Sequence, residues 1–465
     1  MIRTRIAPSP TGYPHIGTIY QALFDYAYAK RHNGKFLVRI EDTDRARFVE
    51  GAEEVIFSAL DWFGLHEDES VRKPGKVGPY RQSERLEIYH KYAQELVDKD
   101  LAYFAYYVKA DVGQKKDYTK GPSEAVSQPK QESGEKAPKT VNEMIQRGDW
   151  ILRMRVSKDK DVTVHDEIRG EIVFAADQVT EQVILKSDGY PTYHLAAVVD
   201  DHEMGITHVV RGEEWISSTP KHVLLYQYFG WDVPKFYHTP LLRNPDKSKL
   251  SKRHGHTNVT WYIEEGFLPQ AILNFLALMG WTHPEEKEVF SMEEFISVFD
   301  LKDIRQVGPI FDMTKLTWMN GEYIRAMDDD DLEKALRTFY PLESFENFDQ
   351  KVLKEIITIA KTRITTLKEF YPLIQQFLPN AIFTVTDDKE KTVAEAMKNA
   401  FILQKEWNKD AIMEVLRPIL KEHGIKMSVL YKIVTGQERG LPLPESLAIL
   451  GKSTVVQRLE QALSS

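Results

Sequence analysis

The chain has 465 residues, more than one hydrophobic core usually organises, so its length predicts about three domains that each bury their own core. Hydrophobic residues make up 42% of it and charged residues 28%, which is typical of globular proteins and excludes a fibrous, collagen-like or wholly disordered chain. The formal net charge of -9 argues against a general nucleic-acid coat protein, because such proteins neutralise phosphates with an excess of Lys and Arg.

The absence of cysteine excludes disulfides, thiolate nucleophiles and cysteine-based zinc sites. The N-terminus from Met1 to Arg5 lacks the apolar stretch of a signal peptide, and the most apolar run, Ala271 to Trp281, contains Asn274 and is too short to span a bilayer. We therefore expect a cytoplasmic protein that does not contact a membrane.

The first forty residues predict a strand, a helix and a second strand. Ile2 to Ala7 has the pattern of a strand, the breaker-rich loop Ser9 to Pro14 follows, and a helix begins at about Thr18 and ends at Gly34. The second strand candidate is Phe36 to Ile40. Such a βαβ unit starts a parallel, doubly wound sheet whose ligands lie at the carboxyl ends of the strands, so the loops after both strands should face one crevice.

Acidic residues follow the second strand and should lie in the same crevice, namely Glu41, Asp42 and Asp44. An amphipathic helix is predicted from Glu53 to Phe63. The segment Lys109 to Lys139 has few apolar residues, which is typical of a mobile loop in an inserted domain and also of a plain linker.

Further strands are predicted beyond this segment, over Trp150 to Val156, Ile172 to Phe174 and Val183 to Leu185. Two later strand candidates, Val198 to Val199 and His208 to Val210, suggest a return to the parallel sheet. From about Asp329 onward the pattern favours helices over Leu332 to Leu342, Lys351 to Phe370 and Val393 to Trp407. No repeat of fixed period is present, which argues against a solenoid.

Two short segments contain residue types that bind nucleotide phosphates. His15-Ile16-Gly17-Thr18 lies where a loop enters a helix, and free backbone amides at a helix start favour phosphate oxygens. Lys247 to Gly255 carries several cations that suit a loop closing over a triphosphate. Alone, the first segment is better explained as a capped turn, and the second is explained equally well as a solvated basic loop. Together, in this order, they favour a nucleotide site.

With Lys249-Leu250-Ser251-Lys252-Arg253, the segment at His15 resembles the paired motifs of class I aminoacyl-tRNA synthetases. Four further segments resemble bacterial glutamyl-tRNA synthetases in particular: Arg5 to Gly12, Arg39 to Asp44, Asp188 to His194 and Arg211 to Trp215. The resemblance extends over nearly the whole chain, through Gly451.

The resemblance implies a multidomain α/β plus all-α fold, with a Rossmann-like catalytic domain, an inserted acceptor-binding domain and a helical anticodon-binding region. The implied parts are 1–90 and 191–245 for the two halves of the catalytic domain, 91–190 for the insertion, 246–325 for a stem-contact domain with the Lys249 loop, and 326–465 for the helical region.

Glutamate carries two carboxylates and one ammonium, so a selective pocket needs two cations and an anion, which Arg5, Arg211 and Glu41 supply. By resemblance, Arg5 and Tyr193 read the side-chain carboxylate, Arg211 the α-carboxylate and Glu41 the ammonium. The residues implied to shape the pocket are Ala7 and Ser9. A solvated edge strand for Arg5 and core packing for Tyr193 are the ordinary alternatives.

The reaction implied by the resemblance uses ATP to activate glutamate and then loads it onto tRNA(Glu), without a protein nucleophile. The catalytic residues implied are His15, Lys249, Lys252 and Arg253, with Lys252 as the main transition-state cation. The residues implied to bind ATP are His15, Gly17, Thr18, Glu213, Trp215 and Lys252. Mg²⁺ is expected to arrive with ATP, held mainly by phosphates and water.

Two departures from the family pattern affect these expectations. The segment Ala102 to Tyr107 lacks the cysteines that often bind zinc in relatives, so no structural zinc is expected. Ala197 stands where relatives usually place Asn, so one polar contact near the substrate is missing. Asp200, Asp201 and His202 could form a metal cluster, but we expect them to support the pocket, with no protein-held metal.

In the helical region, Lys361 to Leu367 resembles the segment whose arginine, here Arg363, reads an anticodon base, although a solvated helix face explains it nearly as well. We expect a monomer. The sequence leaves open whether tRNA(Gln) is also charged and whether activation of glutamate requires bound tRNA.

Rival functions are less consistent with the whole chain. The truncated enzyme that glutamylates queuosine lacks an anticodon-binding region, whereas this chain continues far beyond Lys252. The all-α C-terminus argues against a glutaminyl-tRNA synthetase. A small-molecule nucleotidylyltransferase would not need the helical region, and an inactive RNA-binding module would be expected to lose Glu41, Arg211 or Lys252.

Overall fold

The computed structural model describes residues 1–106, 137–250, 257–378 and 380–464. The chain forms two compact units. The first unit comprises Met1–Thr260 with Leu273–Phe311, and the second comprises Trp261–Ile272 with Asp312–Ser465. Among the described residues, no helix combines the length and the apolar character needed to cross a lipid bilayer.

Three sheets lie in the described part of the first unit. Their strands are β1 (Arg3–Ile6), β2 (Lys35–Val38), β3 (Ala102–Tyr106), β4 (Trp150–Met154), β5 (Val162–Asp166), β6 (Gly170–Phe174), β7 (Val183–Leu185), β8 (His208–Gly212) and β9 (Lys235–Thr239). β1 and β2 pair in parallel, β3, β4 and β7 form an antiparallel sheet, and the third sheet has the order β6-β5-β9-β8. In the third sheet β9 runs parallel to both β5 and β8.

Helices cover the strands and make up the described part of the second unit. The first nine are α1 (Ile16–Arg31), α2 (Ala52–Trp62), α3 (Leu86–Asp98), α4 (Val141–Arg147), α5 (Tyr193–Glu203), α6 (Thr219–Phe229), α7 (Val259–Glu264), α8 (Pro269–Gly280) and α9 (Met292–Val298). The others are α10 (Met313–Ala326), α11 (Asp329–Phe339), α12 (Gln350–Ala360), α13 (Phe370–Ile374), α14 (Asp388–Leu403), α15 (Lys409–Glu422), α16 (Met427–Thr435), α17 (Leu443–Leu450) and α18 (Lys452–Ser464).

The predicted strand, helix and strand at the N-terminus are confirmed. β1 pairs with β2 in parallel, with Arg3 opposite Lys35 and Ile6 opposite Val38, and α1 connects them. β8 lies beside β1, where the Thr207 amide donates to the Arg3 carbonyl oxygen at 3.0 Å. The carboxyl ends of β1, β2 and β8 therefore meet at one edge, as expected for a ligand crevice.

The predicted strand at Val198 and Val199 is wrong, because both valines lie inside α5. Every residue of α5 from Leu195 to Asp201 is buried, so the helix lacks the alternation of apolar and polar faces that identifies an amphipathic helix. A short apolar run of this kind cannot be assigned to strand or helix from its pattern alone. The strands predicted near Trp150, Ile172, Val183 and His208 are confirmed.

The second unit is helical, as predicted, but Lys351 to Phe370 is not one helix. α12 ends at Ala360 and α13 begins at Phe370. The intervening Thr-Arg-Ile-Thr-Thr run has low helix propensity, and the Thr365 amide donates to Glu369 Oε2 at 2.7 Å instead of to a helical carbonyl. Two buried apolar clusters stabilise this unit, one around Ile356 and one around Met397.

Candidate functional site

Two adjoining cavities lie at the carboxyl ends of β1, β2 and β8. The first, which we call the arginine cavity, has a volume of about 450 Å³. Its walls include all the predicted glutamate-binding residues, namely Arg5, Ala7, Ser9, Glu41, Tyr193 and Arg211. The second, the helix cavity, measures about 330 Å³ and is bounded by the first turn of α1. Both share the wall formed by Ala7, Pro8, Ser9, Thr18, Gln21 and Trp215, so together they form a continuous cleft.

Arg5 belongs to a buried group of paired charges, the Arg5 cluster, which also contains Arg39, Asp201 and Glu41. Arg5 Nε donates to Asp201 Oδ1 at 3.0 Å and Arg5 Nη2 to Asp201 Oδ2 at 3.3 Å. Arg39 Nη1 donates to the same Oδ1 at 2.7 Å, and Arg39 Nη2 contacts Glu41 Oε1 at 3.2 Å. The positive charge of Arg5 is therefore balanced within the protein.

Burial and charge act in opposite directions on the two carboxyls of this cluster. Burial would raise the pKa of Asp201, but Arg5 and Arg39 hold that pKa below its usual value. Burial dominates at Glu41 and raises its pKa, although Arg39 and Arg5 oppose the rise. Glu41 is thus a carboxylate that gains from a further cation, which suits a substrate ammonium.

Asp200, next to Asp201 on α5, is occupied by other partners. Its oxygens accept from Arg85 Nε at 2.7 Å, Gln82 Nε2 at 2.9 Å and the Tyr89 hydroxyl at 2.9 Å. His202 points elsewhere, since its ring stacks on Trp231 with centroids 3.6 Å apart. The three side chains suggested as a metal cluster therefore do not converge, and within the described residues no group of three or more potential ligands is placed to hold a metal ion.

Arg211 is as buried as Arg5, with 4% of its surface exposed against 5%, but its contacts are neutral. Its Nε donates to His238 Nε2 at 3.1 Å, Nη1 to the Tyr193 hydroxyl at 3.0 Å and to His222 Nδ1 at 3.2 Å, and Nη2 to Thr219 Oγ1 at 2.8 Å. Its guanidinium also lies 5.1 Å from the centre of the Phe236 ring. Across the part of the chain that is described, no carboxylate forms an ion pair with Arg211.

The histidines around Arg211 are kept neutral. Burial, then the Arg211 charge, holds the pKa of His222 well below its usual value. Burial, with Lys221 and Arg211, lowers the pKa of His194 to about 3. Burial also lowers the pKa of His238, although Asp166, 2.6 Å from its Nδ1, opposes the shift. A buried cation surrounded by neutral acceptors retains its charge for an incoming anion.

The helix cavity brings together the residues predicted to bind ATP phosphates. His15 is the N-cap of α1, and its Nδ1 accepts from the Gly17 amide at 2.9 Å. Gly17, Thr18, Trp215 and Lys249 also line this cavity. The predicted catalytic residues Lys252 and Arg253 lie outside the described residues.

Glu213 lies apart from both cavities, unlike the other described residues predicted to bind ATP. Its carboxylate accepts from Arg169 Nη2 at 2.6 Å and from the Leu241 amide at 3.2 Å, and it faces Arg243 Nη2 at 3.4 Å. Its neighbour Glu214 lines the helix cavity and contacts Lys249 Nζ at 3.3 Å. The predicted role of Glu213 in ATP binding stays a prediction.

Several residues of the site were not identified from the sequence. Arg39, His222 and His238 hold the predicted residues in place, but they are separated along the chain. Arg39 lies in the family-like segment Arg39 to Asp44, on the same side of an extended chain as Glu41, which could have identified it. His222 and His238 lie outside the segments that resemble the family. Arg47 and Lys186 also line the arginine cavity, where Arg47 Nε pairs with Asp44 Oδ2 at 2.6 Å and Lys186 Nζ donates to the Thr43 carbonyl oxygen at 3.0 Å.

Ala197, the departure noted in the sequence, is 1% exposed and lies one turn after Tyr193 on α5. It does not line the arginine cavity. In the second unit, Arg363 is exposed and lines a cavity of about 670 Å³ together with Trp261, Phe267 and Lys368.

Comparisons with known proteins agree across the whole chain. The family described as "tRNA synthetases class I (E and Q), catalytic domain" matches residues 1–318, and the "Anticodon binding domain" family matches residues 331–463. The chain is 44% identical to the glutamate–tRNA ligase of Thermus thermophilus over the full length of both proteins. It is 39% identical to that of Pseudomonas syringae, covering 99% of this chain and 95% of the relative.

Solved structures give the same result. A glutamate tRNA ligase from Elizabethkingia meningosepticum, in complex with its amino acid, superimposes with a TM-score of 0.82 at 31% identity. The match covers 100% of this chain and 99% of that structure. The corresponding enzyme of Elizabethkingia anophelis superimposes with a TM-score of 0.81, also at 31% identity.

Proposed function

The chain belongs to the glutamate–tRNA ligases of the class I aminoacyl-tRNA synthetase family, and from this premise we propose how its two cavities divide the reaction. The enzyme activates L-glutamate with ATP to glutamyl-adenylate and transfers the glutamate to tRNA. Glutamate occupies the arginine cavity and the ATP phosphates occupy the helix cavity. The observation that carries this proposal is the continuous cleft: Arg211, a buried cation with no ion pair to a carboxylate among the described residues, lines one cavity, and His15 at the N-terminus of α1 lines the other.

In the arginine cavity, the charges match those of free glutamate. Glu41 binds the ammonium, while Arg5 and Arg211 bind one carboxylate each. Ala7 and Ser9 line both cavities, so they border the place where glutamate and the ATP phosphates meet. A neutral side-chain amide would leave one arginine without an anion, which disfavours glutamine.

The reaction bears on how the two carboxylates are assigned. The Tyr193 hydroxyl accepts from Arg211 and not from Arg5, with which the family resemblance grouped it. Tyr193 packs against Trp215, which lines both cavities, and the attacking α-carboxylate must lie beside the ATP phosphates. The Arg211–Tyr193 pair therefore suits the α-carboxylate, and Arg5 suits the side-chain carboxylate.

One variant separates the two assignments. If Arg211 binds the α-carboxylate, Arg211→Gln lowers kcat/KM for glutamate and glutamine equally. If it binds the side-chain carboxylate, the variant loses most of its preference for glutamate over glutamine. The ratio of the two kcat/KM values, measured against wild type, decides between them.

In the helix cavity, chain groups position the phosphates. His15 and the Lys249 ammonium line the helix cavity and suit phosphate oxygens. The Gly17 and Thr18 amides donate to His15 Nδ1 at 2.9 Å and to the His15 carbonyl oxygen at 2.8 Å, so each would have to exchange that partner to bind a phosphate. Trp215 lines both cavities, and its ring lies 4.4 Å from the Tyr193 ring. Mg²⁺ bound to ATP neutralises part of the triphosphate charge. The donor set fits this arrangement, since His15, Lys249 and the helix start bind phosphates rather than a bare metal ion.

The chemistry requires no protein nucleophile. The glutamate α-carboxylate attacks the α-phosphorus of ATP, pyrophosphate leaves, and the 3′-terminal ribose hydroxyl of tRNA(Glu) then displaces AMP from the adenylate. Catalysis arises from positioning and from charge stabilisation by His15, Lys249, Lys252 and Arg253. We expect Lys252→Ala to lower kcat strongly while glutamate still binds.

The tRNA is engaged at both ends. Arg47 and Lys186, which line the arginine cavity, attract the phosphates of the tRNA 3′ end. Arg363, with Trp261 and Phe267 in the same cavity of the second unit, suits an unstacked anticodon base. The protein acts as a cytoplasmic monomer.

ATP–pyrophosphate exchange with glutamate and with glutamine, each with and without tRNA, tests the proposal. Glutamate-dependent exchange followed by charging of purified tRNA(Glu) is expected. Exchange with neither amino acid under any condition would reject it. Parallel charging of tRNA(Gln) establishes whether that tRNA is also a substrate, and gel filtration with light scattering tests the monomer.

A further inference from the structure

The histidines around Arg211 form a linked series of hydrogen bonds that the glutamate-binding reaction does not itself require. His238 on β9 and His222 on α6 contact Arg211 directly, with 0% and 2% of their surfaces exposed. His194 on α5 contacts His222, and Asp166 at the end of β5 contacts His238. Four different elements thus contribute to the surroundings of one guanidinium.

The direction of each hydrogen bond follows from Arg211, which can only donate. His222 Nδ1 must accept from Arg211 Nη1, so the proton of His222 is on Nε2 and is donated to His194 Nδ1 at 3.1 Å. His238 Nε2 must accept from Arg211 Nε, so its proton is on Nδ1 and is donated to Asp166 Oδ2 at 2.6 Å. Both rings are therefore neutral acceptors with a fixed tautomer.

The Asp166 carboxylate keeps His238 in this tautomer by accepting its Nδ1 proton, and backbone amides hold the carboxylate in position. Its Oδ1 accepts from the Ile168 and Arg169 amides at 3.0 and 2.8 Å, and its Oδ2 also accepts from the His238 amide at 3.1 Å. The carboxylate is completely buried, and the His238 ring separates it from Arg211. It orients the arginine without neutralising it by direct contact.

We propose that His222 and His238 are positioning residues that hold Arg211 in a binding-competent orientation while leaving its charge uncompensated until the glutamate carboxylate arrives. This inference rests on the proposed function, in which Arg211 binds a substrate carboxylate. A carboxylate at either histidine position would fix the guanidinium equally well but would compete with the substrate. Neutral acceptors avoid that competition, and their rigidity lowers the entropic cost of binding.

A matched pair of variants at His222 separates orientation from neutrality. His222→Asn keeps a neutral acceptor near the position of Nδ1, whereas His222→Asp has almost the same size and carries a negative charge. We expect the KM for glutamate to rise by less than about threefold in His222→Asn and by at least about thirtyfold in His222→Asp. The KM for ATP and kcat should remain near their wild-type values in both.

His238 supplies an independent test in case the His222 variants fold poorly. His238→Gln keeps an acceptor near the position of Nε2 and should retain a glutamate KM within about fivefold of wild type, whereas His238→Ala should raise it by at least about twentyfold. Thermal melting of each variant confirms that it is folded. A structural defect would lower kcat and affinity for ATP together, whereas the proposed role affects glutamate selectively.

The outcomes are distinguishable from failure of the proposed function. If wild type uses glutamate but His222→Asn and His222→Asp have equal glutamate KM values, neutrality is irrelevant and the inference is rejected alone. If His238→Gln and His238→Ala are also equal, the orienting role is rejected as well. If wild type activates no glutamate with or without tRNA, the proposed function is rejected and the inference with it.

Discussion

Two buried arginines of the same cleft, Arg5 on β1 and Arg211 on β8, differ in the groups that surround their charges. Arg5 forms a two-point ion pair with Asp201, which also binds Arg39. Arg211 is surrounded by two imidazoles, two hydroxyls and an aromatic ring. The charge of Arg5 is already balanced by Asp201 before a substrate carboxylate binds, while the charge of Arg211 is left for an incoming anion. Equal burial of the same residue type therefore does not imply the same role.

The largest effect should come from breaking the Arg5 cluster. Asp201→Ala leaves Arg5 buried without its carboxylate and removes one partner of Arg39. Removal of one partner of a buried ion pair costs about 3–5 kcal/mol, so the free energy of unfolding should fall by about that amount. Urea denaturation measures it, with Asp177→Ala, at an exposed position, as the control. A loss equal to that of the control would contradict the structural role of the cluster.

Removing the unpaired arginine should affect function far more than stability. Arg211→Gln deletes a buried cation, and the lost hydrogen bonds are offset by the smaller desolvation cost. We expect kcat/KM for glutamate to fall by at least about a hundredfold while the free energy of unfolding changes by less than about 1.5 kcal/mol. Pyrophosphate exchange and urea denaturation measure the two quantities. A stability loss as large as that of Asp201→Ala would remove the distinction between the two arginines.

The two regions should also respond to acid in different pH ranges. The pKa of His194 is about 3 in the folded protein, against about 6.5 for an unfolded histidine, so below pH 6.5 the unfolded chain binds a proton that the folded chain does not. The stability that His194 contributes is therefore complete above about pH 6.5 and is lost as the pH falls toward 3. Asp201, whose pKa is lowered, contributes stability that is lost only below the unfolded value of about 3.9.

Replacing the histidine should remove part of this acid sensitivity. His194→Asn keeps an acceptor near Nδ1 and cannot be protonated. Between pH 6 and pH 5, wild type should lose up to about 1.4 kcal/mol more stability than the variant, the value for one proton over one pH unit. Urea denaturation at both pH values measures the difference, with the exposed His165→Asn as the control. Equal slopes in wild type and His194→Asn would show that the histidine is not held neutral.

The smallest effect should come from an exposed pair at the ATP end of the cleft. Lys249 and Glu214 lie 3.3 Å apart with 58% and 33% of their side chains exposed, so the pair is worth about 0–1 kcal/mol. Glu214→Gln frees Lys249 and removes a negative charge from the helix cavity. We expect the KM for ATP to fall by about two- to threefold, with Glu95→Gln in the exposed pair with Lys99 as the control. An increase in KM for ATP would instead indicate that Glu214 takes part in binding the nucleotide.

Much of this site was predictable from the sequence because its residues lie in contiguous motifs at strand and helix ends. Arg5 lies near the end of one strand and Ala7 and Ser9 follow it, Glu41 follows the next strand, and His15 and Gly17 start a helix, so the chain itself places them near one edge. The multidomain class I fold and the glutamate–tRNA ligase function predicted from the resemblance are confirmed by full-length relatives and a solved structure. The individual roles and the five domain boundaries stay predictions.

The sequence by itself determined which charges the cleft would contain, because strand ends, a helix start and family motifs specify residue type and order. Only the tertiary structure decided which of those charges are compensated. Asp201 reaches Arg5 across 196 positions, and His238 reaches Arg211 from another strand, so neither contact is visible in any local pattern. Burial then sets the energetic value of each contact, since Asp201 balances the charge of Arg5 within the fold, whereas the neutral imidazoles beside Arg211 leave its charge for the substrate.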